Sequence, residues 1–258
     1  DKEYFESEIY KEGRKIILEQ LKKGNLKQKS DGAVYADLSK EGLGEKILLR
    51  ADGTSIYITQ DLYLAILRKK EFNFDKLIYV VANEQDNHFK ILFALLKLFG
   101  YKWADKLYHL NYGLVHLESG RMKSREGNVV DADDLISEME TLVLKELESR
   151  YKTLPNKEKK LITKAIAMAA IRYYFLKIDR TKDMVFKPQE SISFEGNTGP
   201  YLLYTYARAK SVLKKAGFNP KKDYKINKIS NIEKKLILQL SKFSEIVPHA
   251  HITLSPNL

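Results

Sequence analysis

Residues 76–100 read KLIYVVANEQDNHFKILFALLKLFG, and the change of period inside this stretch decides the fold class. Residues 76–82 form a continuous apolar run of the kind buried on both faces in a parallel sheet. Asn83, Glu84, Gln85 and Asp86 then make a polar turn. Over residues 87–99 the apolar period lengthens and places Phe89, Leu92, Leu96 and Phe99 on one helix face, with Gly100 available to end the helix in the left-handed region. Strand, polar turn and helix in this order predict part of a doubly wound α/β sheet, whose ligands lie beyond the C-terminal ends of the strands. The turn is therefore a candidate site.

Upstream, residues 6–23 read as an amphipathic helix through Ile9, Ile16, Ile17 and Leu21, closed by Gly24. Residues 46–50 and 54–59 are apolar and β-branched runs flanking Asp52-Gly53, a tight-hairpin signal, and Asp61 can cap a following helix over 62–69. A short strand is expected near residues 114–117. The first domain is thus read as residues 1–140: a partial doubly wound, Rossmann-like parallel sheet carrying a small β-hairpin insertion. From Asp131, itself an available N-cap, the pattern turns helical with no further strand. Helices are expected at 163–176, at 201–215 after Gly199-Pro200, and at 232–247, the last stopped by Pro248. Residues 141–258 are therefore read as an all-helical bundle, with the Lys-rich stretch 219–228 as an internal linker.

Charge separates the same two segments. Residues 1–140 carry a net charge of −2, whereas residues 141–258 hold 23 Lys plus Arg against 10 Asp plus Glu, a net of +13. A concentrated positive field attracts phosphate backbones, so the second segment is a candidate nucleic-acid surface, although a solvated lysine-rich face would share its composition. The absence of cysteine excludes disulfides and thiolate metal sites, and the five histidines lack metal-ligand spacing, so no protein-held metal is expected. No run reaches the length of a membrane span and the start is unlike a signal peptide, which predicts a cytoplasmic protein that does not engage membranes. A first residue of Asp rather than Met suggests that something upstream has been removed.

Two constellations carry chemistry. Tyr57-Ile58-Thr59-Gln60-Asp61 is followed, one helix and one strand later, by Gln85-Asp86-Asn87-His88, and both clusters are expected at strand ends. A carboxylate there can accept two parallel N–H donors of a planar guanidinium; helix capping and turn formation are the plainer use of the same residues. The second is Gly120-Arg121-Met122-Lys123-Ser124-Arg125-Glu126-Gly127-Asn128, a basic loop with glycines at both ends. Lys123, Ser124 and Arg125 could meet a triphosphate, or form no more than an exposed basic turn.

Taken in order, Tyr57-x-Thr-x-Asp61, Gln85-Asp86-x-His88-Phe89, the 121–128 loop, Gly196-Asn197-Thr198-Gly199-Pro200-Tyr201 and Tyr204-x-Tyr206-Ala207-Arg208 resemble segments of the arginyl-tRNA synthetases, a class I aminoacyl-tRNA synthetase family. The resemblance spans nearly the whole chain. It implies that arginine attacks the α-phosphate of ATP, with magnesium accompanying the nucleotide, and that the adenylate then acylates tRNA. No tightly bound cofactor is implied, and the expected protein is a monomer. By the same resemblance Asp61, Tyr57 and Gln85 bind arginine and His88 lies on the nucleotide side. Met122, Lys123, Ser124 and Arg125 form the catalytic loop, where the class pattern Lys-Met-Ser-Lys-Ser stands as Arg-Met-Lys-Ser-Arg and Lys123 is also a nucleotide contact. The class His-x-Gly-His signature does not occur in these residues, so they are expected not to form the adenylate alone. The tail resembles the start of the family's helical anticodon-binding domain. There Tyr201, Tyr204 and Arg208 either contact tRNA by stacking and phosphate pairing or pack along one helix face. A synthetase-derived RNA-binding protein without catalysis is the alternative function, allowed by the absent signature and the basic tail.

Overall fold

A computed structural model describes residues 2–117, 131–225 and 228–258, and its packing separates two compact units, Asp1–Tyr112 and Gly113–Leu258. In the first unit, helix α1 (Glu6–Lys22) crosses α2 (Ile58–Phe72) at Gly13, where an added Cβ would lie 2.5 Å from the Thr59 carbonyl oxygen. Only a residue without a side chain allows that approach. In the chain, α1 and α2 are separated by an antiparallel sheet ordered β1 (Lys27–Gln28), β2 (Val34–Leu38), β3 (Gly44–Leu49). The parallel pair β4 (Leu77–Ala82) and β5 (Leu107–Tyr112) is crossed over by α3 (Asp86–Leu98), in a register that sets Tyr79 opposite His109 and Val81 opposite Asn111. Ile17, Leu38, Leu48, Leu62, Leu92, Leu95 and Leu96 are fully buried in one core, each stabilising the unit by about 1.5–3 kcal/mol relative to exposure. Strand β4 is not covered on both faces within this unit, since Val80 is 62% exposed.

The second unit contains a parallel pair, β6 (Val115–Leu117) with β7 (Met184–Phe186), and the helices α4 (Ala132–Arg150), α5 (Asn156–Leu176), the short α6 (Pro188–Ser191) and α7 (Gly199–Lys215). Its core gathers Met139, Val143, Leu147, Ile166, Ala167 and Tyr174 around Phe186, whose ring meets Tyr174 edge-on at 5.0 Å and Phe175 stacked at 5.1 Å. Helix α7 packs on α5 through Gly199, where a Cβ would lie 2.0 Å from the Ala169 carbonyl oxygen. Two further helices, α8 (Asn231–Ser241) and α9 (Phe243–Thr253), leave their apolar residues open; Ile232, Phe243 and Ile252 are all at least 70% exposed.

The parallel-strand and helical architecture expected from the sequence is present, with four corrections to its elements. The hairpin is β2–β3, joined through a 3-10 turn at Ser39–Glu41, not two strands around Asp52-Gly53. Asp52-Gly53 does turn the chain, with the Asp52 carboxylate accepting from the Thr54 N–H and hydroxyl, but the returning segment makes only an isolated bridge from Ser55 to Leu49. The chain then enters α2 at Ile58, four residues earlier than expected, so Asp61 lies inside the first turn and is not the cap. A strand, β7, also occurs where only helices were expected, its three residues being too few to show a period. Finally, the last long helix breaks at Lys242 and resumes as α9 with Pro248 inside it, so the proline is not the stop.

Candidate functional site

Because α2 starts at Ile58, Tyr57 and Asp61 stand one helical turn apart on one face and not at a strand end. Asp61 keeps its side chain 25% exposed, and its Oδ2 accepts from His88 Nε2 at 2.7 Å; the His88 side chain is 19% exposed. The Tyr57 ring lies 5.5 Å from the His88 ring and is largely open to solvent. The charge on Asp61 pushes the Tyr57 hydroxyl above its ordinary pKa, with burial adding to the effect. Tyr57, Asp61 and His88 therefore form one cluster, assembled from the starts of α2 and α3.

Gln85 is exposed in the 3-10 turn Asn83–Gln85 just before α3 and makes no side-chain hydrogen bond among the described residues. The turn it occupies is held by a second set of contacts. Asp86 Oδ1 accepts from Asn111 Nδ2 at 2.9 Å and lies 3.3 Å from His109 Nδ1, while His109 Nε2 donates to the Val81 carbonyl at 2.9 Å. His109 and Asn111 were not among the expected site residues. Their signal is the alternation His109-Leu110-Asn111, which puts two polar side chains on one face of β5.

Met122, Lys123, Ser124 and Arg125 lie outside the described residues. Tyr201, Tyr204 and Arg208 come together on α7. Both tyrosines are more than 40% exposed, so they are not core packing, and Arg208 donates from Nη1 to the Tyr204 hydroxyl at 3.1 Å while lying over its ring. All three line a cavity of about 890 Å³. The same cavity is lined by Arg150, bound by Glu146 at 2.5 Å and lying 5.4 Å from the centre of the Phe194 ring. Two guanidinium–aromatic pairs thus border one cavity, a lining suited to flat bases and phosphates. Arg150 and Phe194 were also missed, since 44 residues separate them in sequence.

A parallel strand pair whose crossover helix α3 begins at the polar cluster, in a chain that continues into a basic helical segment, defines a class I synthetase-like protein. The model for the tRNA synthetases class I (R) catalytic domain matches residues 2–187, and that for the DALR anticodon binding domain matches residues 202–258. The chain belongs to the class I arginyl-tRNA synthetase family. It is 45% identical over 261 residues to the arginine–tRNA ligase of Flavobacterium psychrophilum, covering 100% of this chain and 43% of that relative. It is 46% identical over 264 residues to the arginine–tRNA ligase of Treponema denticola, covering 100% and 45%. The arginyl-tRNA synthetase structure from Thermus thermophilus superposes with a TM-score of 0.79 at 25% identity, over 96% of this chain and 47% of that one. The Plasmodium falciparum arginyl-tRNA synthetase structure shares the fold, with a TM-score of 0.72 at 24% identity over 96% and 43% of the two chains. The chain thus spans less than half the length of these relatives. Among the described residues no helix is long and apolar enough to cross a membrane.

Proposed function

We propose that the protein joins arginine to its tRNA at the expense of ATP, through an arginyl-adenylate, and that this chain supplies the guanidinium end of the amino-acid site and part of the RNA surface. In this reading residues 1–140 serve the amino acid and nucleotide, and residues 141–258 face the tRNA. One observation carries the proposal: the Asp61 carboxylate, three-quarters buried and oriented by His88, beside an exposed tyrosine ring. A carboxylate offers about four acceptor positions, and His88 uses one, which leaves room for two parallel N–H donors of a guanidinium. Tyr57 covers the flat face of that cation, and Gln85, exposed on the neighbouring turn, supplies a polar contact. His88, expected on the nucleotide side, acts first as the partner that orients Asp61.

The 121–128 loop, with Met122, Lys123, Ser124 and Arg125, is proposed to meet the triphosphate of ATP and stabilise charge as pyrophosphate leaves. Magnesium would accompany the nucleotide. Among the described residues no group of three or more His, Asp or Glu side chains is placed to hold an ion, so no step is derived through it. Tyr201, Tyr204 and Arg208 are proposed to take unpaired tRNA nucleotides into their cavity. A cytoplasmic location and a monomeric state belong to the same proposal.

Thermal shift and calorimetry with arginine, lysine and citrulline test the charge-reading pocket. Arginine should bind most tightly, and Asp61→Asn should weaken arginine by about 100-fold or more, because a cation then loses its buried counter-charge. Equal binding of citrulline would refute the pocket. These 258 residues with tRNA are expected to show no arginine-dependent pyrophosphate exchange, for want of the His-x-Gly-His turn. The complete protein encoded by the gene should show it; absence of exchange there would favour a non-catalytic RNA-binding protein.

A further inference from the structure

The short turn between β4 and α3 carries Gln85 and leads directly to His88. Gln85 stands at the N-cap of α3 without making a capping hydrogen bond, and Asn83–Gln85 is a single 3-10 turn. A restraint on this turn comes from the neighbouring strand. His109, its side chain 9% exposed, spans the turn by donating to the Val81 carbonyl before it and approaching the Asp86 carboxylate after it. Asn111, two residues further along the same face of β5, donates to the same Asp86 oxygen. The His109 ring is fixed against Phe89 at a centroid distance of 4.3 Å, so the imidazole cannot swing away without losing an aromatic contact inside the core.

Geometry then links this clasp to the cluster above. Asp86 is the first residue of α3, and His88 lies two residues later, with Nε2 at 2.7 Å from Asp61 Oδ2. A hydrogen bond of that length tolerates little displacement of the helix start. We propose that His109 and Asn111 are positioning residues for the Asp61–His88 pair, acting through Asp86 to fix where α3 begins. The proposal rests on the reading of Asp61 as the guanidinium anchor. Neither His109 nor Asn111 is required to touch substrate. Their effect reaches the substrate as the orientation of Asp61, and it should appear as a specific loss of arginine binding.

The test uses the complete protein as its gene encodes it, assayed for aminoacylation with tRNA, with KM for arginine and for ATP, kcat and melting temperature measured on each variant. His109→Phe keeps the ring on Phe89 and removes both polar links. Asp86→Asn weakens the clasp from its other end, and the double variant Asp86→Asn/Asn111→Asp rebuilds the contact with donor and acceptor exchanged. His109→Phe and Asp86→Asn should each raise the arginine KM by about tenfold while changing the ATP KM by less than about threefold, and the exchanged pair should recover most of the loss. The proposal is overturned if arginine KM is unchanged, if arginine and ATP KM rise together with a fall in melting temperature, or if the exchanged pair is no better than Asp86→Asn. Asp61→Asn in the same assay separates the two levels of argument. A rise in arginine KM for Asp61→Asn with none for His109→Phe sinks the clasp alone, whereas no rise for Asp61→Asn sinks the anchor and the clasp together.

Discussion

The two candidate sites of this chain are assembled in opposite ways. In the first unit the hydrogen bonds that shape the carboxylate cluster join distant elements: Asp61 to His88 across 27 residues, Asp86 to Asn111 across 25, and Val81 to His109 across 28. In the second unit the hydrogen bonds are local: Tyr204 and Arg208 meet within one helical turn, and Arg150 is held from its own helix by Glu146, although its aromatic partner Phe194 comes from 44 residues away. A pocket held by long-range bonds exists only while the whole unit is folded. A platform built from neighbours on a helix needs little more than the helix, and it can adjust to a long, deformable ligand. That contrast matches what each surface is proposed to bind, a small rigid cation in one case and RNA in the other.

The contrast can be tested by damaging each unit in turn. The largest loss of stability is expected for Phe186→Ala, which empties the centre of the second unit's core and should cost about 3–5 kcal/mol in denaturant unfolding of that unit. A cost below about 1 kcal/mol would mean that Phe186, Tyr174 and Phe175 are not a core. A smaller loss, about 1–3 kcal/mol, is expected for Gly13→Ala, because the new methyl group meets the Thr59 backbone and pushes α2 away from α1. Thr59 is two residues from Asp61, so arginine affinity should fall in the same variant. Unchanged arginine binding alongside the stability loss would show that the cluster is less dependent on the fold than its contacts imply.

Legibility in the sequence follows the same division. The 76–100 stretch and helix α7 of the second unit could be read from apolar period and caps because those signals are local, whereas α5 begins at Asn156, seven residues before its expected start. The tyrosine–arginine platform was also legible, since three- and four-residue spacing on a helix is itself a statement of proximity. Strand β7 was not, with three residues between a turn and a proline, and neither was the early start of α2. The run at residues 54–59 is β-branched, but Thr59 and Gln60 are buried against α1, and that tertiary contact overrides the strand propensity. Asp61 and His88 could be nominated from their motifs, but their pairing could not, because nothing in either segment encodes the other's position. His109 and Asn111 went unnoticed for the same reason.

A further prediction concerns the RNA side. Arg208→Ala should remove one phosphate or base contact while leaving α7 folded, weakening tRNA binding modestly and reducing the slope of log affinity against log salt by about one. An unchanged slope would mean that the guanidinium serves Tyr204 and not RNA. Loss of helical circular dichroism in the same variant would contradict the independence of the platform.

The smallest effect belongs to the hairpin and is visible only in acid. Asp37 accepts from the Ser39 hydroxyl and N–H and from Lys27 across the strand pair, and these bonds lower its pKa from 3.8 to about 2. A carboxylate lowered in the folded state binds its proton more readily when unfolded, so its contribution is complete above about pH 4 and disappears as pH falls toward about 2. The Asp37 side chain is 40% exposed, which keeps the contribution small. Asp37→Asn should therefore leave stability at neutral pH slightly reduced and make the acid unfolding curve shallower between pH 4 and 2. The Asp61–His88 site lies outside this hairpin, so arginine binding at neutral pH should be the same in Asp37→Asn as in the unsubstituted protein. A change there would show that the antiparallel sheet helps to hold the pocket, extending the long-range dependence of the first unit beyond the contacts between α2, α3 and β5.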